Sequence, residues 1–183
     1  MSEIFPIKIQ PLSADAMLAY GVMVEDQKLA FPRTEVGQVG LEKLRVKYRP
    51  NGNEIHQLAI HFTYNQTFIP LFGSLILVLA PAPRNRAEGE SKGPDTYDLD
   101  YDRIAAFSLK PGQIACIDQG VWHNVVTLDQ ECEFVNVTRK NDGEGISPAE
   151  ELEGNIDAAH AVRDYVEFVD IKKRDDRMLK LTL

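Results

Sequence analysis

Four histidines, His56, His61, His123 and His160, carry most of what this chain could use for acid–base chemistry or metal binding. An imidazole titrates near neutrality and can offer a lone pair to a metal. Two of the four sit in patterned surroundings. His61 is followed by four residues and then Gln66, and six residues further on comes Gly73. Gly112 is followed by five residues, then Asp118, one residue, Gly120, two residues and His123. The segment EIHQLAIHF (54–62) alternates like a strand. That alternation places Gln57, Ala59 and His61 on one face and turns His56 the other way unless a bulge shifts the register. Cys116 lies in an alternating apolar stretch, QIACID, and reads as core rather than as a nucleophile.

The elements that must position these groups are mostly strands. LRVKYRP (44–50), EIHQLAIHF (54–62), FIPLFG (68–73), SLILVLAPA (74–82), IAAFSL (104–109), QIACID (113–118) and ECEFVNVTR (131–139) carry strand patterns. Asn51-Gly52-Asn53, Pro111-Gly112 and the Asp118–Gly120 stretch mark turns between them. Many short strands at this spacing indicate an all-β sandwich, jelly roll or barrel. SLILVLA is apolar on both faces, as a strand between two layers must be. Near the start, Ser13 can cap a short helix over ADAMLAYG and Gly21 can provide its left-handed exit. Residues 83–103 are polar and rich in Gly, Pro and Asp and read as one long exposed loop, its acidic run Asp95–Asp102 too irregular for a calcium loop. Ser147-Pro148-Ala149-Glu150 has capping-box spacing for a helix that stops at Gly154. The sequence divides into a barrel domain over 1–154 and a C-terminal extension over 155–183, packing on the barrel or on a partner subunit. In that extension Val162, Val166 and Val169 fit a helix, whereas the last six residues alternate like a strand.

A chain of 183 residues favours one domain with one core, and 44% hydrophobic and 26% charged residues match ordinary globular usage. The net charge of −8 argues against nucleic acid or an anionic membrane as partner. No apolar run reaches the ~20 residues of a membrane-spanning helix. The N-terminal MSEIFPIKIQ lacks the regions of a secretory signal, and two cysteines cannot build a disulfide framework. These features point to a cytoplasmic protein.

The spacings around His61 and His123 resemble the two half-motifs of the cupin superfamily, whose pattern is His-x-His, Glu and Gly, then later Gly, Pro, Gly and His. The resemblance implies a double-stranded jelly-roll barrel. At the family's first His, Glu and Pro positions this chain has Ala59, Gln66 and Asp118. A closer resemblance runs with gaps from about Pro11 to Arg139. PLSADAMLAYG, HFTYNQTFIPLFG with LVLAPAP, and GQIACIDQGVWHNVV together resemble the ureidoglycolate lyase family. Matching positions are His61, Gln66, Phe68, Pro70, Gly112, Gln113, Gly120, Trp122 and His123. Ala59 and Ile60 replace a Glu and an Arg of that family, Ile117 replaces a Tyr, and Asn124 and Val125 replace the residues after its Trp-His pair.

That resemblance implies a lyase that splits ureidoglycolate, or a close carbinolamide or α-hydroxy acid amide, into glyoxylate and urea. Such an elimination needs a base for the hydroxyl proton, an acid for the departing nitrogen, and a cation or metal for the carboxylate. His123 is the expected base or metal ligand, and His61 and Gln66 orient substrate or share a divalent metal with it. Asp118 serves as acid or orients His123. Lys47 and Arg139 are the candidates for the substrate carboxylate, while Trp122 packs to hold His123 in place. The resemblance also implies a homodimer. Two other readings share the barrel: a metal-dependent isomerase or dioxygenase, and a cupin that binds a small molecule without turnover.

Overall fold

The computed structural model describes residues 2–25, 28–35, 37–85, 94–140 and 167–183. Thirteen strands dominate the described residues: β1 (Glu3–Pro11), β2 (Gly21–Val24), β3 (Gln38–Lys47), β4 (Glu54–Ile55), β5 (Gln57–Ile60), β6 (Gln66–Phe72), β7 (Leu75–Ala80), β8 (Ala105–Leu109), β9 (Ile114–Ile117), β10 (Trp122–Val126), β11 (Glu131–Lys140), β12 (Glu167–Asp170) and β13 (Arg177–Thr182). Two short helices join them, α1 (Ala14–Met17) and α2 (Ile171–Asp175). The strands form an eight-stranded sheet, β12-β5-β10-β7-β8-β1-β13-β4, and a five-stranded sheet, β2-β9-β6-β11-β3. The all-β barrel of the sequence reading is what the chain forms.

Alternation explains the two cores. In β7, Leu75, Leu77 and Leu79 face the space between the sheets, where they meet Phe68, Phe107, Ile117 and Phe134. Ile76, Val78 and Ala80 face a second core with Leu58, Ile60, Trp122, Leu179 and Leu181. This second core exists because the large sheet curls on itself: β4 and β5 lie near opposite ends of the strand order yet are separated only by His56. EIHQLAIHF is therefore two strands rather than one. β4 pairs with β13, while β5 pairs with β10 and β12.

Ser13 caps α1 as expected, accepting from the Ala16 amide at 3.4 Å. Gly21 follows with φ +147°, where a Cβ would lie 2.1 Å from the Cys116 carbonyl oxygen. Further features depart from the sequence reading. Residues 3–11 form a strand whose first half pairs only with β13, and one open side is the condition under which Pro6 can sit in a sheet. The stretch 83–103 is not simply exposed. Of its described part, Tyr97 is buried and Leu99 and Tyr101 pack on the outer core. Val169 lies in β12, fully buried, not in a helix.

The tail strands join the large sheet, β13 parallel to β1 and β12 antiparallel to β5. Between them Asp170 caps α2 by accepting from the Lys172 and Lys173 amides at 3.1 and 3.2 Å. The expected helix after Ser147, the division at 154/155, His160, Val162 and Val166 lie outside the described residues. No helix among the described residues is long and apolar enough to cross a membrane.

Candidate active site

The site is built by one cross-strand pair and one turn. His123 on β10 lies directly opposite Ala59 on β5. Directly opposed residues of antiparallel strands share a face, and His61, two residues beyond Ala59, is a diagonal neighbour on that face. The two rings meet edge-on, with centroids 4.8 Å apart at 65°. Trp122, one residue earlier, points to the opposite core, where it is completely buried and its indole N–H reaches the Asp98 carbonyl oxygen at 3.3 Å. Trp122 thereby anchors the strand that presents His123.

Gly120 locks the turn before β10 to His61. Its amide donates to the His61 carbonyl oxygen at 2.7 Å, and its φ is +77°. A Cβ there would lie 3.2 Å from the Phe62 ring and 3.3 Å from the Ala82 Cβ. Gly120→Ala is expected to cost about 1–3 kcal/mol through the left-handed backbone and the crowding. Chemical denaturation of the variant checks this, and an unchanged midpoint would show that the turn relaxes without strain.

Both rings are buried, and the bonds they make fix their roles. His123 Nδ1 lies 3.0 Å from the Val121 carbonyl oxygen. A carbonyl only accepts, so Nδ1 carries the proton and Nε2 holds the lone pair. Burial, with the neighbouring His61 second, lowers the His123 pKa to about 3, and the ring is neutral at pH 7. His61 is lowered to about 4, again by burial, against the opposing pull of its bonds to Gln66 and the Tyr64 backbone. Its Nδ1 lies 2.8 Å from the Tyr64 carbonyl oxygen and its Nε2 2.8 Å from Gln66 Oε1. The Tyr64 ring stacks on it at 3.8 Å, 11° from parallel. Phe68 faces His123 from β6, centroids 6.4 Å apart. Gln66 continues the chain, donating from Nε2 to Asn136 Oδ1 at 2.7 Å.

The structure therefore brings together His61, Gln66 and His123, adding Tyr64, Asn136 and Phe68. Arg139 is buried on β11 but shares its strand face with Glu131 and Glu133, opposite to inward Phe134 and Asn136, and its donation to Thr63 Oγ1 at 3.1 Å ties it to the turn carrying His61 and Gln66 and not to the rings. Asp118 and Lys47 are not brought to the histidines. Asp118 is exposed in the turn after β9, where its backbone bonds Tyr20 and Val121. Lys47 lies opposite Glu131 on the outer face of β3 with Arg45, because Leu44 and Val46 take the inward positions. Sequence spacing could not weigh Asn136, whose only signal is a polar residue alternating with inward Cys132 and Phe134.

The residues present do not fit a divalent ion. Both His61 nitrogens face oxygen acceptors and both amide atoms of Gln66 are engaged, leaving His123 Nε2 as the one lone pair this set offers. Among the described residues no cluster of three or more His, Cys, Asp or Glu could hold a metal. The thiols are no alternative nucleophiles, since burial raises that of Cys116 and pushes that of Cys132 up to about 12.

The sequence profile of ureidoglycolate lyases matches residues 33–155, more than half of the chain and every residue of this site. The chain belongs to the ureidoglycolate lyase family. No curated protein matches its sequence. Solved structures of similar chain path include a cupin-2 domain protein of Shewanella frigidimarina, 17% identical over 62% of this chain and 84% of that one, with TM-score 0.34. A cupin domain of Bordetella pertussis is 20% identical over 60% of this chain and 92% of that one, with TM-score 0.32. A dTDP sugar isomerase of Desulfovibrio desulfuricans is 18% identical over 70% and 73%, with TM-score 0.38.

Proposed function

We propose that this protein is a carbon–nitrogen lyase that cleaves ureidoglycolate, or a closely related carbinolamide, to glyoxylate and urea. The observation that carries the reading is His123, a neutral buried imidazole with Nε2 free as a base, set beside His61 within the family's matched span. Nε2 takes the hydroxyl proton, the C–O bond becomes C=O, and the C–N bond breaks. The same imidazole then returns the proton to the departing nitrogen, so the ring ends the cycle neutral and no net proton is consumed. Arg139, on the outward face of β11, braces the turn that carries His61 and Gln66 through Thr63.

The test is release of urea and glyoxylate from ureidoglycolate by purified full-length protein, before and after EDTA dialysis. Equal turnover in both samples is the expected result. Activity lost on chelation and restored by a divalent ion would mean that Gln66 swings away from His61 to admit a metal. Tight binding without turnover would instead mark a small-molecule-binding protein. The family reading further makes a cytoplasmic homodimer of allantoin catabolism the expected setting, with light scattering testing the dimer.

A further inference from the structure

The hydrogen bonds that leave His61 do not end at Gln66. From His61 Nε2 they run to Gln66 Oε1 at 2.8 Å, from Gln66 Nε2 to Asn136 Oδ1 at 2.7 Å, and from Asn136 Nδ2 to Glu42 Oε2 at 3.4 Å. Register makes the last link possible: Asn136 on β11 lies directly opposite Glu42 on β3. Glu42 also shares its strand face with Leu44 and Val46, which pack toward the inner core. It is a carboxylate on the inward side of a strand whose outward charges, Lys43 and Arg45, are paired with Glu133.

Each link in this chain has a direction. A carboxylate accepts and cannot donate, so Asn136 must turn its amide nitrogen toward Glu42. Its oxygen then faces Gln66, which must donate with its own nitrogen and present its oxygen to His61. An oxygen at 2.8 Å from Nε2 calls for a hydrogen on Nε2. The other nitrogen faces the Tyr64 carbonyl oxygen, which also calls for a hydrogen. The two acceptors compete for the single hydrogen of a neutral ring: the Tyr64 carbonyl is fixed, whereas the side that Gln66 turns to Nε2 is set, through Asn136, by the group at position 42. Were position 42 able to donate, both amides could turn over, Gln66 would donate to Nε2, and the hydrogen would settle on Nδ1 against Tyr64 with every group satisfied.

We propose that Glu42 is a positioning residue of this site, acting through Asn136 and Gln66 to hold the ring hydrogen of His61 on Nε2. The arrangement separates the two histidines by role. His123 presents a lone pair at Nε2, whereas the Nε2 hydrogen of His61 is given to Gln66, so one ring is the base and the other a fixed neutral neighbour that sets its edge. The kinetic consequence rests on the lyase reading. The hydrogen placement does not.

Long-range proton–nitrogen NMR of the imidazoles in 15N-labelled full-length protein at pH 7 reads the hydrogen placement directly. In the unmodified protein, His61 Nε2 is expected to resonate as a protonated nitrogen. In Glu42→Gln, which keeps the shape but can donate, the hydrogen is expected to move to Nδ1, leaving His123 unchanged. Asn136→Leu cuts the chain independently and is expected to move it the same way. In the ureidoglycolate assay, Glu42→Gln is expected to lower kcat about tenfold or more with little change in KM. Nε2 protonated equally in the unmodified protein and in both variants, or unprotonated from the start, overturns the proposal. An absence of turnover in the unmodified protein would defeat the lyase reading alone, because the NMR result still decides the role of Glu42.

Discussion

Replacing His123 with asparagine is expected to lower kcat/KM for ureidoglycolate by about 10²–10⁴-fold, the usual contribution of a positioned general base. Asparagine is the informative choice. Its amide nitrogen can take the place of Nδ1 and keep the donation to the Val121 carbonyl oxygen, so the strand stays anchored while the basic lone pair is lost. Trp122, on the opposite face of β10, holds the backbone independently of the imidazole. Circular dichroism and the thermal midpoint of the variant establish that the fold persists. A variant with undiminished kcat/KM would remove His123 from the mechanism, since no other group in the cluster offers a free basic nitrogen. His61→Asn is expected to cost less, because its nitrogens are already committed to Tyr64 and Gln66.

Stability is expected to fall as pH drops from 7 to 5, by about 2 kcal/mol for each of His61 and His123. Folded, the two rings have pKa values lowered to about 4 and about 3, chiefly by burial. Unfolded, each returns to about 6.5. Over this window the unfolded chain takes up protons that the folded chain refuses, so acid favours unfolding. The contribution is fully present above the unfolded value and is lost as pH falls toward the folded ones. Because both rings stay neutral in the fold down to pH 5, the size of the effect is set by the unfolded pKa. Urea midpoints at pH 7 and pH 5 measure it, and His123→Asn should remove about half of the difference. A difference that His123→Asn leaves intact would show that the ring is hydrated in the fold and titrates near its ordinary value. The same burial predicts that kcat/KM has no acidic limb near pH 6.5 from His123.

How much of this was legible beforehand differs from residue to residue. The strands of the barrel core were legible wherever one short segment carried its own pattern. Leu75–Ala80 is apolar on both faces because it separates two cores, and six consecutive buried side chains bear that out. The short capped helix at Ser13 was legible for the same local reason. Strand β1 was not, because its place depends on β13, more than 170 residues away in sequence, and Pro6 argues locally against a strand. Val169 could not be assigned by periodicity, since a short apolar spacing fits a helix or a strand until a partner such as β5 is in place.

The sequence by itself singled out His61, Gln66 and His123 as candidates and tied them to an all-β barrel, because residue type and strand spacing are local properties. Only the tertiary structure decided how they meet. Pairing β10 against β5 set the two rings edge to edge, and burial made both of them neutral. The register of β11 against β3 added Asn136 and Glu42, and the same alternation turned Lys47 outward. Strand register fixes which side chains share a face, and it is set by partners far away in sequence, as Glu42 is from Asn136. No spacing within one segment encodes it.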